Sequence, residues 1–460
     1  MERGRLHLDG EPVPEATLAA LVRQCAAEAA DAGVGPGHAL GVADEEPLST
    51  VVAALAADRL GAPLHLGGSA PTGAGPARHL PVAARVRTDA GRTRTQPVPL
   101  DRAAGPLPEQ AGYLFTTSGS TGDVKIVVHS PAAMRYQVRA TAARLGYDPS
   151  DALLLPLSPR HAYGFSVLAQ WIAGGPDLFV ESRFSVDLVA RRLAEHRITT
   201  LDGVPAMYRL LLRQARHCPA LRADLAALRV RGCGGDVLAP GLRHEFAHRI
   251  GGALHDGYGL TEAGPNVALT GPDEPATAGV GRPLDGTRVR LGADGEVLVH
   301  SPSVMLAYLA DPQATAAHLV DGWLHTGDLG EIDAAGRLTI TGRRREIINV
   351  YGRTYAPVLL EDALVDQPGV LEAALVGLPG ADARRGDRVV AYLVLEPTPD
   401  PVDRAGRACR AALPPALRPA RVTVVPRLPR LASGKLDRRT IRAWALAGTV
   451  DPAEVGPGDR

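Results

Sequence analysis

The amino-acid sequence predicts an α/β protein with a large N-terminal domain of α/β sheets, a small β unit and a small C-terminal α+β domain. Short apolar runs alternate with helical patterns as far as about residue 270, and this alternation favours largely parallel sheets. Hairpin-like segments follow Gly279, and a compact βαβ-like pattern follows Arg343. A chain of 460 residues is also too long for one ordinary core, so two or three packed units are expected.

The large N-terminal domain begins with an amphipathic pattern over residues 15–32, which predicts a helix that ends near Gly33. Further helical patterns lie at residues 186–197 and 206–218. The apolar runs that predict strands lie at residues 152–158, 177–182, 197–204 and 228–235. The Gly- and Pro-rich stretch 67–81 is expected to be a surface loop.

Two hairpins are predicted after residue 279, at 288–301 and 329–343, because each carries turn residues in its middle. The pattern that follows alternates strands and helices, at residues 346–352, 357–366, 373–379, 388–396, about 403–413 and 421–429. The Pro-rich stretch 396–403 reads as a loop within it. We place the domain boundary near residues 342–346, which divides the chain into domains of residues 1–342 and 343–460.

The composition argues against several classes of function. Lys plus Arg and Asp plus Glu number 50 each, so the net charge is zero and no basic face for nucleic acid is indicated. The four cysteines form no CxxC pair, which argues against a zinc site and a disulfide framework. The sequence shows neither a signal-peptide pattern nor an apolar run near the roughly 20 residues of a membrane helix. We expect a soluble, cytoplasmic protein without nucleic-acid or membrane partners.

The strongest functional signal is the segment YLFTTSGSTGDVK at residues 113–125, where an apolar strand start runs into consecutive small residues. Glycines let a backbone approach a ligand closely. Hydroxyl and N–H groups can surround phosphate oxygens, and a lysine neutralises their charge. The predicted phosphate clamp consists of Thr117, Ser118, Gly119, Ser120, Thr121, Gly122 and Lys125.

Two other nucleotide motifs do not match this segment. A Walker loop needs Gly-Lys-Ser/Thr after its second glycine, whereas Gly122 is followed by Asp-Val-Lys. No GxGxxG opens a helix after a strand, so the dinucleotide fingerprint is absent as well. A surface linker rich in Ser, Thr and Gly remains the alternative interpretation.

The segment TTSGSTGxxK resembles the phosphate loop of the adenylate-forming (AMP-binding) superfamily, which includes acyl-CoA synthetases, aryl-acid ligases and peptide-synthetase adenylation domains. The resemblance implies that ATP activates a carboxylic acid as an acyl-adenylate and that pyrophosphate is released. It implies ATP and Mg²⁺ as cofactors, and CoA or a phosphopantetheinyl carrier protein as the acyl acceptor. Val124 and Ile126 replace the proline and glycine that are usual at these positions.

The segment GYGLTE at residues 257–262 resembles the Tyr-Gly-x-Thr-Glu motif of this superfamily. The resemblance places the ring of Tyr258 on adenine, Thr261 at the α-phosphate and Glu262 on Mg²⁺, an ion that suits a hard carboxylate. The neighbouring residues assigned to nucleotide binding are Asp256, Gly257 and Gly259. Taken alone, the segment is also compatible with a turn followed by a helix cap, with Asp256 as a turn residue.

The segments WLHTGD at residues 323–328 and Gly-Arg at 342–343 resemble the ribose-binding motifs of the superfamily. Asp328 would accept charge-assisted hydrogen bonds from the ribose hydroxyls, and Arg343 would contact the same sugar. An aspartate in a hairpin turn is the alternative for Asp328.

The segment GGD at residues 234–236 resembles the strip that lines the adenine pocket, which assigns Gly235 and Asp236 to the nucleotide. A plain turn is the alternative.

The segment LPRLASGKLDRRT at residues 428–440 resembles the C-terminal motif whose lysine completes adenylation. Lys435 would bridge the substrate carboxylate and the α-phosphate, where negative charge builds as the carboxylate oxygen attacks phosphorus. An ordinary Gly-Lys turn is the alternative for this lysine.

The resemblance also implies a mobile C-terminal domain, which rotates after adenylation and opens a path for a pantetheine thiol. Arg345 occupies the hinge position, where Asp or Lys is usual. Gly352 matches the glycine that lets the thiol arm pass, although a hairpin turn explains a glycine there equally well. Asn349 stands where a lysine often binds the CoA phosphates.

The segment LSPRHAYGFS at residues 157–166 resembles the acid pocket of acyl- and aryl-acid ligases, with His161 as a gate beside the carboxylate. Amino-acid-activating domains carry an Asp at the next position to hold the α-ammonium group, but this chain has Ala162. We expect an acid without an α-amino group, because a buried unpaired ammonium is costly. Asp202 either holds a polar or cationic substituent near the pocket or caps a helix. The expected lining residues are Gly203, Gly234, Gly264 and Val267.

Five motifs in the order of the superfamily span residues 113–440. The region before residue 113 is shorter than in most relatives, so part of the usual N-terminal subdomain is expected to be trimmed. Three hypotheses follow: an acid–thiol ligase acting on CoA or a carrier protein, an adenylating enzyme that serves a non-thiol nucleophile, and a nucleotide-binding homologue without catalysis. The presence of Glu262, Asp328 and Lys435 together favours a catalyst.

Overall fold

The computed structural model describes residues 3–67, 82–89, 92–98, 107–118, 124–275, 279–380, 382, 384–430 and 436–448. The predicted surface loop 67–81 falls outside these ranges except for Gly67. Within the described residues, strands form sheets of nine, seven and five strands before residue 344 and sheets of two and three strands after it. The predicted α/β class is confirmed.

The elements follow one another along the chain as strands and helices. The first group is β1 (Leu6–Leu8), β2 (Glu11–Pro12), α1 (Glu15–Asp31), β3 (Ala39–Val42), α2 (Pro47–Leu60), β4 (Leu64–Leu66), β5 (Val82–Asp89), β6 (Arg92–Pro97), β7 (Tyr113–Ser118) and β8 (Val124–His129). The second group is α3 (Pro131–Leu145), β9 (Ala152–Leu155), α4 (Ala162–Ile172), β10 (Asp177–Val180), α5 (Val186–Glu195), β11 (Thr200–Gly203), α6 (Pro205–Ala215), α7 (Pro219–Ala227), β12 (Val230–Cys233), α8 (Pro240–Ile250), β13 (His255–Gly259), β14 (Asn266–Leu269) and β15 (Arg282–Pro283).

The third group is β16 (Arg288–Leu291), β17 (Glu296–His300), β18 (Ala307–Tyr308), α9 (Pro312–His318), β19 (Leu319–Val320), β20 (Trp323–Ile332) and β21 (Leu338–Arg343). The last group is β22 (Ile348–Val350), β23 (Arg353–Tyr355), α10 (Pro357–Val365), β24 (Val370–Pro379), β25 (Asp387–Leu395), α11 (Pro401–Ala412), β26 (Arg421–Val424) and α12 (Arg438–Ala447).

The nine-stranded sheet has the order β15-β14-β13-β12-β11-β9-β10-β1-β2, and its strands are parallel from β13 through β1. The interior strand β9 is fully apolar and buried, as expected for a parallel strand covered on both faces. The chain passes from β9 to β10 on one side and then crosses back to β11 on the other side. In open α/β sheets, ligands bind at the carboxyl ends of the strands where the order reverses in this way.

The seven-stranded sheet has the order β18-β8-β7-β4-β3-β5-β6. Strands β7 and β8 are antiparallel and flank residues 119–123, so the predicted phosphate clamp connects two strands of one hairpin. Strand β18, which comes from the far side of the sequence, pairs with β8 through Tyr308 and Val127. This pairing brings the third part of the chain to the phosphate clamp.

Both predicted hairpins of the small β unit are present, as β16–β17 and β20–β21 in the five-stranded sheet. The last cross-strand pair of β20 and β21 is Asp328 opposite Arg343.

The part of the chain after Arg343 has its own interior. Strands β24 and β25 are antiparallel, whereas β25 and β26 are parallel and are joined by α11, which gives the predicted βαβ pattern. The two apolar clusters of this region contain residues between Ile348 and Ala445 only. Helix α11 begins at Pro401, two residues earlier than predicted, because proline is well suited to the first turn of a helix.

Two expectations from composition can be examined in the described residues. All four cysteines are free thiols. None of the helices in the described ranges is both long and apolar enough to cross a membrane.

Candidate active site

The phosphate clamp begins and ends in paired strands. Thr117 lies opposite Lys125 across the β7–β8 hairpin, and its hydroxyl donates a hydrogen bond to the carbonyl oxygen of Lys125 at 3.4 Å. The backbone of Ser118 pairs with Val124 at the last step of the ladder. The remaining predicted clamp residues, Gly119, Ser120, Thr121 and Gly122, lie outside the described residues.

The ring of Tyr308 joins two predicted motifs that are far apart in sequence. The ammonium of Lys125 lies 4.6 Å from the centre of the Tyr308 ring, and the Tyr308 hydroxyl donates a hydrogen bond to Oε1 of Glu262 at 2.8 Å. Burial and the neighbouring Glu262 carboxylate raise the pKa of Tyr308, so its hydroxyl remains a donor at neutral pH. The structure therefore places Lys125, the last residue of the predicted phosphate clamp, and Glu262, the predicted Mg²⁺ ligand, around Tyr308.

The turn that carries Thr261 and Glu262 is a short 3-10 helix, Thr261–Ala263. Nε2 of His129 donates to the Thr261 carbonyl oxygen at 2.7 Å, and the Met305 backbone N–H donates to the carbonyl oxygen of Glu262 at 2.8 Å. Burial lowers the pKa of His129 to about 4, so the ring is neutral near pH 7. The turn is thus tied to β8 on one side and to the segment before β18 on the other.

Gly264, a predicted pocket residue, ends this turn with φ of +91°, a conformation that favours glycine. An added Cβ would also lie 2.6 Å from the carbonyl oxygen of Ser303. The backbone of the turn therefore requires a glycine at position 264, independently of any role of this residue in the acid pocket.

The predicted ribose residues also meet. The Tyr258 hydroxyl donates to Oδ2 of Asp328 at 2.8 Å, and Nε of Arg343 lies 2.9 Å from Oδ1 of the same carboxylate. Asp328 is 3% exposed and its ion pair with Arg343 raises the pKa of that guanidinium. A carboxylate has about four acceptor sites, so Asp328 keeps lone pairs for further hydroxyl groups.

The structure corrects the alternative reading of Asp256 as a turn residue. Asp256 lies within β13, together with Gly257 and Gly259, and is buried against Arg243 of α8. Burial raises the pKa of Asp256 to about 7 and outweighs the opposing effect of Arg243. This carboxylate therefore serves the packing between the sheet and α8.

The predicted adenine strip follows β12 directly, because Gly234, Gly235 and Asp236 come after its last residue, Cys233. The Asp236 charge contributes to the raised pKa of both Arg343 and Arg438. The charge of Asp236 therefore acts both on Arg343, a predicted ribose residue, and on Arg438, the first residue of α12.

The predicted acid pocket lies where the strand order of the large sheet reverses. His161 is the exposed N-cap residue of α4, and Ala162 is its buried first residue. Gly203 and Asp202 are the last residues of β11, so the alternative that Asp202 caps a helix is wrong. The N-cap position of α6 is Val204 instead, and it makes no side-chain cap bond. Asp202 is therefore a buried strand residue.

The loop that carries Lys435 lies outside the described residues, but the residues after it do not. Arg438 makes hydrogen bonds of 2.8 and 2.7 Å to the two carboxylate oxygens of Glu361 and pairs with Glu346 at 3.2 Å. Glu361 and Glu346 both follow Arg343 in the chain, so these contacts hold the start of α12 within the C-terminal region.

The predicted hinge and thiol-path residues lie in exposed backbone. Arg345 is exposed, two residues after β21 ends at Arg343. Tyr351 and Gly352 form the two-residue turn between β22 and β23, with φ of +51° and +72°. Both positive angles are typical of a tight hairpin turn, so Gly352 does lie in a hairpin turn, and its role in a thiol path stays a prediction. Asn349 lies in β22, opposite Thr354.

Two family models match this chain, one in the large N-terminal part and one in the C-terminal part. The family model described as AMP-binding enzyme matches residues 76–309, and that of the AMP-binding enzyme C-terminal domain matches residues 359–435. The 3-[(3aS,4S,7aS)-7a-methyl-1,5-dioxo-octahydro-1H-inden-4-yl]propanoyl:CoA ligase of Mycobacterium tuberculosis is 34% identical over 355 residues, which cover 74% of this chain and 68% of the relative. The 2-succinylbenzoate–CoA ligase of Bacillus subtilis is 30% identical over 342 residues, 72% of this chain and 68% of the relative.

Solved structures share nearly the whole fold. An amide bond synthetase from Marinactinospora thermotolerans superposes with a TM-score of 0.77 and 28% identity, over 96% of this chain and 97% of that one. The o-succinylbenzoate coenzyme A synthetase from Bacillus subtilis, in complex with ATP and magnesium ion, has a TM-score of 0.77 and 25% identity, over 96% and 97% of the two chains.

The chain belongs to the AMP-binding enzyme family, which is the adenylate-forming superfamily. The predicted enzyme class, an AMP-forming acid–thiol ligase that activates a carboxylic acid as an acyl-adenylate, is confirmed.

Proposed function

We propose that this chain uses ATP to activate a carboxylic acid without an α-amino group and then transfers the acyl group to the thiol of CoA. The strongest support is that Lys125 and Glu262 both contact Tyr308. This arrangement brings the cation predicted to bind phosphate close to a carboxylate that suits a metal ion. The relatives named as CoA ligases support the thiol acceptor.

The proposed nucleotide site uses the clamp residues and Lys125 for the β- and γ-phosphates, and Thr261 for the α-phosphate. Tyr258 and the strip Gly234–Asp236 surround adenine, and Asp328 and Arg343 hold the ribose. Among the described residues, Tyr308 connects Lys125 to Glu262, and Asp328 is held between Tyr258 and Arg343.

Glu262 has the chemistry that Mg²⁺ requires. Among the described residues no group of three or more His, Cys, Asp or Glu side chains is arranged to hold a metal ion. Mg²⁺ usually takes only one or two protein carboxylates and fills its other positions with phosphate oxygens and water. When bound, the ion neutralises charge on the phosphates, and Glu262 with its hydrogen bond from Tyr308 would anchor it.

The two half-reactions are proposed to use two positions of residues 343–460 relative to residues 1–342, with Arg345 as the hinge. In the first, the ammonium of Lys435 stabilises negative charge that builds as the acid attacks the α-phosphate. In the second, Lys435 leaves and the thiol arm passes Gly352. The separate interior of the C-terminal region and its few contacts with the large domain, such as Arg209 with Asp362, support such a rotation.

The lysine content of the chain supports these roles. The chain has two lysines among its 50 basic residues, and they are Lys125 and Lys435. Arginine is used everywhere else, including exposed positions where lysine would serve equally well. A compact ammonium is therefore present only at the two positions where phosphate chemistry is proposed.

Acid-dependent exchange of labelled pyrophosphate into ATP tests the first half-reaction. A panel of aliphatic and aromatic carboxylic acids should contain members that support exchange, whereas their α-amino analogues should not. If ATP binds and no acid in a broad panel supports exchange, the chain is a nucleotide-binding homologue without this catalysis.

The acceptor is tested separately, by adding CoA, a phosphopantetheinyl carrier protein or a simple amine to the enzyme with ATP and an active acid. We expect a thioester with CoA. The amide bond synthetase neighbour makes an amine the second candidate, and an amide product without thioester would replace the thiol proposal.

A further inference from the structure

The carboxyl end of β11 carries an acidic side chain, Asp202. It lies where the strand order of the nine-stranded sheet reverses. Asp202 pairs in register with Gly232 of the neighbouring strand β12, so both point to the same face of the sheet. The α4 helix that follows β9 on the other side places Tyr163 over this position. Asp202 and Gly232 thus come from the carboxyl ends of two adjacent parallel strands, and Tyr163 comes from the helix that follows the third, which is where α/β proteins bind ligands.

Within the described part of the chain, Asp202 has a single hydrogen-bond partner. The Tyr163 hydroxyl donates to Oδ1 at 3.0 Å, whereas Oδ2 is buried without any partner. The side chain is 3% exposed, and no Lys, Arg or His of the described residues pairs with it. The titratable groups that face it are the buried hydroxyls of Tyr163, Tyr147 and Tyr208. A buried carboxylate oxygen without a donor is destabilising, which is a reason to look for a ligand that supplies one.

The surroundings of Tyr163 connect Asp202 to the acid pocket. Tyr163 directly follows His161 and Ala162, the predicted gate and the residue that replaces an ammonium-binding aspartate. Its ring lies 3.5 Å from the position of a Cβ on Gly234, at the start of the adenine strip. Tyr163 therefore lies between the start of the adenine strip and Asp202, and an acid that packs along its ring would reach the Asp202 carboxylate.

Gly232 provides the space in which the carboxylate lies. A Cβ at this position would be 2.4 Å from Oδ1 of Asp202 and 3.4 Å from the Tyr163 hydroxyl. Any larger residue would push the acidic group aside. Gly232, Tyr163 and Asp202 together thus form one polar group of residues, in which the glycine leaves room for the carboxylate and the tyrosine holds it.

We infer that Asp202 is a specificity residue, whose free Oδ2 accepts a hydrogen bond from a hydroxyl or amino group at the end of the acid remote from its reacting carboxylate. Tyr163 is a positioning residue that holds Oδ1. The inference rests on the proposed function and names the substrate class: carboxylic acids with a distal hydrogen-bond donor. An acid of the same shape without the donor would leave Oδ2 unpaired, and sites of this kind reject such analogues strongly.

The test uses pyrophosphate exchange with matched acids that differ only in one distal group: hydrogen, hydroxyl or amino. The native enzyme is expected to favour a donor-bearing member of a matched set at least tenfold in kcat/KM. In Asp202→Leu this preference should vanish, through a higher KM for the donor-bearing acid, while the analogue without a donor reacts at least as well as before. Tyr163→Phe should reduce the preference without abolishing it.

Tyr208→Phe is the matched control. Tyr208 is buried against the same strand and its hydroxyl donates to the Leu201 carbonyl oxygen, so Tyr208→Phe perturbs β11 without removing a hydrogen bond to Asp202. It should leave the preference unchanged. Equal losses for both acids in Asp202→Leu, or a native enzyme that prefers the analogue without a donor, would overturn the inference. Absence of exchange with every acid would instead contradict the proposed function, so the two failures are distinguishable.

Discussion

Among single residues, Tyr308 has the most unexpected position, because none of the recognised motifs contains it. Its ring contacts the Lys125 ammonium and its hydroxyl bonds Glu262, so one side chain orients both groups. The contact depends on the pairing of β18 with β8, which connects parts of the chain that are distant in sequence. A search for local motifs cannot find a residue of this kind.

Replacing Tyr308 by Phe should keep the ring next to Lys125 and remove the hydrogen bond to Glu262. A hydrogen bond to a charged group contributes about 1.5–3 kcal/mol, so we expect kcat/KM for MgATP to fall about 10- to 100-fold. Pyrophosphate exchange measured over a range of Mg²⁺ concentrations should show a raised Mg²⁺ requirement. An unchanged Mg²⁺ dependence would show that the bond does not orient the metal ligand.

The titration of Asp202 gives a prediction about stability. Burial raises the pKa of Asp202 to about 6 from its ordinary 3.8, and the Tyr163 hydrogen bond opposes this only in part. Between these two pH values the folded state binds more protons at Asp202 than the unfolded state does. The free energy of unfolding therefore decreases as pH rises through this range. This loss of stability is complete above about pH 6. The facing hydroxyls of Tyr163, Tyr147 and Tyr208 have raised pKa values and stay neutral in this range.

Asp202→Asn removes this proton equilibrium. Its stability relative to the native protein should therefore rise by about 1 kcal/mol between about pH 5 and pH 7.5. Urea unfolding of both proteins at the two pH values measures the difference. A difference that is independent of pH would mean that Asp202 titrates near its ordinary pKa in the folded protein.

At the scale of secondary-structure elements, much of the architecture follows from local patterns. The apolar runs of β9 to β12 and the turn residues of the two central hairpins predict strands that the structure contains. The position of Asp202 was harder to predict, because Asp202, in the last part of β11, is only two residues from Val204, the N-cap of the following helix. An aspartate is common at N-caps, so local propensity favours the wrong choice unless the burial of the strand is known.

The β22–β23 hairpin offers a test at this scale. Gly352 and Gly336 both have positive φ, +72° and +76°, and an added Cβ at either would meet no atom within 4 Å. Alanine at each position should therefore cost a similar amount, about 1 kcal/mol of stability. Gly336 lies in the turn between β20 and β21, away from the proposed thiol path, and is the matched control.

We expect Gly352→Ala to slow thioester formation while acyl-adenylate formation is retained, and Gly336→Ala to affect neither half-reaction. Rapid-quench measurements of the two steps separate these effects. Equal rates of thioester formation in the two variants would mean that Gly352 serves only the hairpin turn.

For the whole molecule, the order of motifs along the chain predicted the family, and the structure explains why that order is informative. In the described residues, the sheets bring Lys125 and Glu262 to the same tyrosine, Tyr308. They likewise bring Tyr258 and Arg343 to Asp328. The acid itself could not be predicted, because its pocket is built from glycines and from contacts between elements such as Tyr163 with Asp202. Those contacts exist only in the folded chain.

The most direct test of the proposed reaction separates the two half-reactions in Lys435→Ala. Adenylation, measured by pyrophosphate exchange with an active acid, should fall by on the order of 10²–10³-fold or more, because a charge that stabilises the transition state is lost. Thioester formation from supplied acyl-adenylate and CoA should remain at the native rate, since Lys435 is proposed to leave the site before that step. An equal loss of both half-reactions, or full retention of adenylation, would contradict the role assigned to this lysine.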